Sequence, residues 1–196
     1  MNTAMPIGVD DFKEVREKYY FVDKTDFIRQ LIDKHSKVTL ITRPRRFGKT
    51  LTMSMLEYFF SIDKKEISQS LFSGLSIEKM GQPYMQYLGT RPVISISLKN
   101  VQSDTWESTL NLFGIFLADL YDKFSYLPES PYINEASKEY FFKIWHGKAT
   151  KEEMMVALLR LTKMLQLYYG KQVIVLIDEY DAPVQKAWES GFYDEC

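Results

Sequence analysis

The sequence predicts an α/β protein built on a parallel sheet, and two observations support that prediction. Three short apolar runs rich in β-branched residues, at 38–42, 92–98 and 172–177, are typical of buried strands, and we expect the third to be the most deeply buried. Between them, apolar residues recur every three or four positions, as in helices that pack one face on a core. Strands that alternate with helices favour a parallel sheet.

The helices are predicted from the same periodicity and from their capping residues. Thr25 or Asp26 can cap a helix that runs to about Lys34, and Gly170 is suited to end the helix before the third strand. Further helices are predicted at residues 12–18, 50–60, 105–124, 131–146 and 150–169. Those between the second and third strands, within residues 103–169, form a large insertion that we expect to cover the sheet.

The composition is that of a globular protein and sets limits on the partners. Of the 196 residues, 45% are hydrophobic and 26% charged, which excludes a disordered or low-complexity chain. The net charge of -1 provides no global field toward nucleic acid or an acidic membrane. No apolar run approaches the roughly 18 residues of a membrane helix, the start lacks a secretory signal, and the one cysteine is Cys196. We therefore expect one cytoplasmic domain over residues 1–196.

The segment after the first strand, RPRRFGKT at residues 43–50, has the features of a phosphate-binding loop. A helix start presents unpaired N–H groups and partial positive charge to anions, and Gly48 lets the backbone approach an oxygen closely. Lys49 can reach the β- and γ-phosphates of a nucleotide, and the Thr50 hydroxyl can ligate Mg²⁺. The predicted nucleotide-binding segment comprises Arg46, Phe47, Gly48, Lys49, Thr50 and Leu51.

This loop departs from the usual pattern at its beginning. Arg43 stands where the pattern has its first glycine, and Pro44 removes one amide donor. A solvated basic turn before a helix is the alternative interpretation. Arg43, Arg45 and Arg46 could also form a nucleic-acid patch, but their position between strand and helix favours nucleotide phosphates.

Two carboxylates follow the third strand and would act together with the loop on one bound nucleotide. Asp178 would hold Mg²⁺ directly or through water, and Glu179 would polarise a water molecule for attack on the γ-phosphate. An acidic turn after a buried strand is the alternative for this segment alone. Because both motifs sit at strand ends, where open α/β sheets bind ligands, we expect Gly48 and Lys49 to face Asp178 across a triphosphate-sized gap.

Four blocks of the sequence together resemble a known family. GVDDFKEVREKYYFVDKTDFI, LITRPRRFGKTLTMSMLEYFF, RPVISISLK and VIVLIDEYDAP are similar to the AAA-ATPase-like domain of bacterial and archaeal proteins, over essentially the whole chain. The resemblance implies a phosphate-loop NTPase fold of the additional-strand, AAA-like class. It also implies ATP and Mg²⁺ as cofactors, with Gly48, Lys49 and Thr50 at the nucleotide, Asp178 at the metal and Glu179 as the activator of water.

The family also guides what we expect beyond this chain. Its domain is commonly followed by a PD-(D/E)XK-type nuclease-like domain, and its sheet has further strands after the acidic one. We therefore expect a fold that is incomplete at its C-terminus, an effector domain outside this chain, and contact with nucleic acid only through that domain. Three alternatives to an ATPase remain open: a nucleotide switch without turnover, a small-molecule kinase, and an inactive interaction module.

Overall fold

The computed structural model describes residues 4–42 and 47–195 of the chain. The chain divides into two compact units, Met1–Ser95 and Ile96–Cys196. The boundary falls within the first strand, β1 (Val93–Ser97). Each unit has its own apolar core and is described in turn.

Helices make up most of the first unit. Three of them lie where the sequence predicts them: α1 (Phe12–Lys18), α2 (Asp26–Lys34) and α3 (Lys49–Phe60). Further helical segments, which periodicity did not reveal, follow as a 3₁₀ turn (Ile62–Lys64), α4 (Lys65–Phe72), α5 (Ser76–Lys79) and α6 (Gln82–Met85). Most of these segments are short, and a pattern that repeats every 3.6 residues cannot be recognised over one turn.

The predicted first strand, at residues 38–42, is wrong. These residues are not assigned to any strand, and Val38 and Leu40 expose 86% and 63% of their surface. The β propensity of a residue reflects how well its side chain packs on a half-buried sheet. A segment of such residues therefore forms a strand only where a neighbouring strand is present to pair with it. The described residues contain two strands, which pair with each other and not with this segment.

Aromatic side chains form the centre of the first unit. Phe12 is fully buried and stacks on Phe72 with ring centroids 4.9 Å apart. Phe59 meets Phe72 edge-on at 5.1 Å, and Phe21 meets Phe12 edge-on at 5.3 Å. Offset and edge-to-face pairs of this kind add to the apolar area that the rings remove from water. They bring α1, α3 and α4 together around one core.

The second unit holds the long helices and the second strand. Its elements are α7 (Trp106–Asp122), a 3₁₀ turn (Leu127–Glu129), α8 (Glu135–Trp145), α9 (Lys151–Met155), α10 (Ala157–Tyr169), β2 (Ile174–Asp178), α11 (Ala182–Ser190) and a 3₁₀ turn (Tyr193–Glu195). The predicted termination at Gly170 is confirmed, because this residue caps α10 in the left-handed conformation. Among the described residues, no helix combines the length and apolar character needed to cross a bilayer.

Two of the predicted helices differ from those observed. The helix expected over 131–146 begins only at Glu135, because the Asn134 side chain accepts from the Ser137 amide and caps it. The helix expected over 150–169 is interrupted at Val156. There the Tyr140 hydroxyl donates to the carbonyl of Glu153. This tertiary hydrogen bond gives that carbonyl a partner from another helix.

The sheet consists of β1 and β2, which run parallel as predicted. The Leu98 amide donates to the Asp178 carbonyl at 3.0 Å, so the carboxyl ends of the two strands lie together. The expectation that the third apolar run is the most deeply buried is wrong. In β2 only Leu176 is buried and Ile177 is 38% exposed, whereas Val93 and Ile94 of β1 are both buried.

Candidate functional site

The backbone at Gly48 turns the chain into α3. Gly48 is the N-cap residue and has φ 71° and ψ 32°, the left-handed conformation that glycine adopts without steric cost. Among the described residues, none lies within 4 Å of a Cβ placed there, and the left-handed backbone itself favours glycine. The Gly48 carbonyl accepts from both the amide and the hydroxyl of Thr52, at 2.9 and 2.8 Å. The turn is therefore fixed at its carbonyl side by the helix that it starts.

The predicted phosphate-binding residues open this helix. Lys49 and Thr50 are its first two residues, and Lys49 and Leu51 are half-buried while Thr50 is exposed. The first turn of an α-helix directs its N–H groups out of the helix end and carries partial positive charge, which suits an anion. Phe47, before the cap, is 62% exposed. These features are compatible with the predicted contacts to phosphate, which stay a prediction.

The first four residues of the loop lie outside the described residues. This holds for Arg46, which we predicted to contact the nucleotide, and for Arg43, Pro44 and Arg45.

Asp178 and Glu179 lie at the carboxyl end of β2, within the second unit. Asp178 is the last residue of the strand and is half-buried. The Glu179 amide donates to Asp178 Oδ1 at 3.0 Å. This bond orients one oxygen of the carboxylate. Asp178 also lies at the carboxyl edge of a parallel sheet, which is where such sheets bind ligands.

Glu179 adopts a backbone conformation that sequence reasoning missed. Its φ is 50°, in the left-handed region that residues with a Cβ seldom occupy. The Glu179 carbonyl accepts from the Ala182 amide at 3.1 Å, and the chain passes directly into α11, with Pro183 in its first turn. Strained residues of this kind cluster at functional sites, and no local pattern in the sequence signals them.

The oxygen donors present are of the kind that Mg²⁺ prefers. The Thr50 hydroxyl and the Asp178 carboxylate are hard oxygen ligands, and Mg²⁺ characteristically takes one or two such groups while keeping waters and substrate phosphates. No group of three or more His, Cys, Asp or Glu side chains that could hold a metal occurs in residues 4–42 and 47–195.

The two candidate segments belong to different units. Gly48, Lys49 and Thr50 lie in the first, and Asp178 and Glu179 in the second. Their expected juxtaposition around one triphosphate stays a prediction.

A second motif of the resemblance, YFVDKT at residues 20–25, has a clear structural role. Asp23 Oδ2 accepts from both the amide and the hydroxyl of Ser76 at 2.7 Å, and Asp23 Oδ1 accepts from the Thr25 hydroxyl at 2.7 Å. The fully buried Thr25 hydroxyl in turn accepts from the Ile77 amide at 3.1 Å. These side chains satisfy the first amides of α5 and join it to the start of α2.

Comparison with known proteins identifies relatives over nearly the whole chain. A family model described as a predicted AAA-ATPase, the AAA-ATPase-like family, matches residues 6–196. An uncharacterised protein encoded in the vnfD 5′ region of Azotobacter chroococcum mcd 1 is 31% identical over 183 residues. That match covers 92% of this chain but only 29% of the length of the Azotobacter protein. No solved structure matches the chain.

Proposed function

We propose that this chain, which belongs to the predicted AAA-ATPase family, binds Mg-ATP and hydrolyses it to ADP and phosphate in the full gene product. The observation that carries the proposal is the start of α3. There a left-handed Gly48 caps a helix that opens with Lys49 and Thr50, in a chain whose family is that of ATPases. Nucleotide binding in general follows from the family; the residue roles below are our proposal.

Lys49 and the first-turn amides of α3 would bind the phosphates. The ammonium group of Lys49 neutralises charge on the β- and γ-phosphates, and the amides around Gly48 and Thr50 donate to their oxygens. Thr50 and Asp178 would hold Mg²⁺, which when bound supplies charge neutralisation at the β- and γ-oxygens.

Glu179 would activate the attacking water. A carboxylate within hydrogen-bond reach of that water accepts its proton as the oxygen attacks the γ-phosphorus, while ADP departs with the bridging oxygen. We propose that turnover drives an effector outside this chain, with a nuclease-like domain as the specific candidate. The Azotobacter relative contains much more chain than the matched region, which is room for such a domain.

Binding is tested with a lysine pair. Lys49→Ala should weaken Mg-ATP binding in calorimetry more than tenfold, because one charge-assisted contact to phosphate is lost. Lys163→Ala, at an exposed position of α10, is the matched control and should bind like the parent. Equal affinity of the two variants would contradict the assignment of Lys49.

Turnover is tested in the full gene product with Glu179→Gln. This variant should retain Mg-ATP but release phosphate about 100-fold more slowly, as expected when a general base is removed. Unchanged phosphate release would remove Glu179 from the mechanism. Binding without turnover in the parent protein would indicate a nucleotide switch, turnover that requires an added acceptor would indicate a kinase, and no binding at all would indicate an interaction module.

A further inference from the structure

The N-terminal helix α1 is fastened to α3 through a single carboxylate. Asp11 Oδ1 accepts from the Glu14 amide at 2.8 Å and so caps α1. Its other oxygen, Oδ2, accepts from the Tyr58 hydroxyl of α3 at 3.1 Å. The group that fixes the start of α1 therefore also reaches across to α3.

A second hydrogen bond joins the same two helices next to the first. The Phe12 amide donates to Ser54 Oγ of α3 at 2.9 Å. The Phe12 ring is fully buried and lies 6.1 Å from the Tyr58 ring. Polar and apolar contacts thus act at one place on α3.

The attachment follows the face of α3 that begins at Thr50. Thr50, Ser54 and Tyr58 are four residues apart, and residues at that spacing lie above one another on a helix. The Tyr58 hydroxyl is the donor to Asp11, and burial, followed by the nearby Asp11 carboxylate, raises the pKa of Tyr58 to about 12. The bonds of Ser54 and Tyr58 to α1 therefore oppose a rotation of α3 about its axis, which would move Thr50 as well.

We propose that Asp11, the Phe12 amide, Ser54 and Tyr58 form a latch, the α1 latch, that positions the first turn of α3 for binding phosphate. The inference rests on the proposed function, since it assigns these groups a part in nucleotide binding. Asp11, Ser54 and Tyr58 are positioning residues and do not contact the nucleotide. They act through the α3 backbone, which is stiff over its 12 residues.

The test combines Ser54→Ala with Tyr58→Phe. The double variant should bind Mg-ATP about tenfold more weakly, because two hydrogen bonds that fix the helix are lost. Without nucleotide, hydrogen exchange of the Thr52 amide, which is bonded to the Gly48 carbonyl, should become faster. Asp23→Asn, which breaks the clamp on α5 in the same unit, is the matched control. It should lower the melting temperature and leave both the affinity and the exchange of the Thr52 amide unchanged.

Unchanged affinity and exchange in the folded double variant would overturn the latch, as would equal effects of Asp23→Asn. If the double variant does not fold, Tyr58→Phe alone decides, because it keeps the ring and its packing. If the parent protein binds no Mg-ATP, the proposed function fails. The exchange measurement still shows whether Ser54 and Tyr58 position the first turn of α3.

Discussion

Thr52 donates two hydrogen bonds to the Gly48 carbonyl, one from its amide and one from its hydroxyl. The carbonyl is thereby held on the helix side while the Gly48 backbone is in the left-handed conformation. Candidate phosphate-binding residues follow immediately at Lys49 and Thr50. Changes at Gly48 therefore test how much the backbone conformation alone contributes.

Gly48→Ala should destabilise the protein by about 1 kcal/mol, because a Cβ is unfavourable in the left-handed region. In the part of the chain that the structure describes, no atom lies close enough to a Cβ at this position to add a clash to that cost. Thermal unfolding measures the change. Gly48→Asn is the control and should lose less, because asparagine tolerates this conformation better. If alanine and asparagine are equally well tolerated, the left-handed cap at Gly48 is not required.

Glu179 should show an unusual order of stability among its substitutions. Because its φ is 50°, Glu179→Gly should be about 1 kcal/mol more stable than Glu179→Ala in urea unfolding. At Glu139, an exposed position within α8, glycine should instead be about 1 kcal/mol less stable than alanine. If alanine were more stable than glycine at position 179 as well, the backbone of Glu179 would not be strained.

Because of Asp23, the free energy of unfolding should depend on pH in the acid range. Burial opposes its charge, but hydrogen bonds from Thr25 and Ser76 together outweigh burial and lower the pKa of Asp23 below its ordinary value of 3.8. A carboxyl whose pKa is lowered on folding stabilises the protein above its unfolded pKa, and this contribution is lost as the pH falls through the folded pKa.

The variant Asp23→Asn removes that dependence. At pH 7 it should cost about 1 kcal/mol, because the hydrogen bonds to the charged group are weakened. Below about pH 4 the parent should approach the variant, which chemical unfolding at a series of pH values measures. A constant difference between the two proteins down to pH 2 would contradict the prediction.

Tyr121 should be a stability determinant of the second unit. Its fully buried hydroxyl donates to the Ala157 carbonyl at 2.9 Å, and burial, with Tyr140 beside it, raises the pKa of Tyr121. Tyr121→Phe should lower the free energy of unfolding by about 1 to 2 kcal/mol. Tyr132→Phe, at a position 69% exposed, should change it by less than about 0.5 kcal/mol. Equal effects would show that the buried bond contributes nothing.

The parts of the candidate site that consist of residues adjacent in the chain could be predicted from the sequence. The GKT segment and its helix are recognisable because a flexible turn, a cation and an amphipathic pattern lie together in the chain. The conformation of Glu179 and the hydrogen bonds of Asp23 could not be predicted. The first depends on how β2 is joined to α11, and the second links residues 53 positions apart.

The sequence by itself determined helices such as α1 and α2, the parallel direction of the strands in the sheet, and the family. Periodicity, caps and motifs are carried by residues within a few positions of one another, so they can be read without the fold. The tertiary structure decided that residues 38–42 remain outside the sheet, that the helix over 150–169 is interrupted at Val156, and that α1 is fastened to α3. Each of these depends on a partner from a distant part of the chain: a strand to pair with, the Tyr140 hydroxyl at the Glu153 carbonyl, or Asp11 at Tyr58.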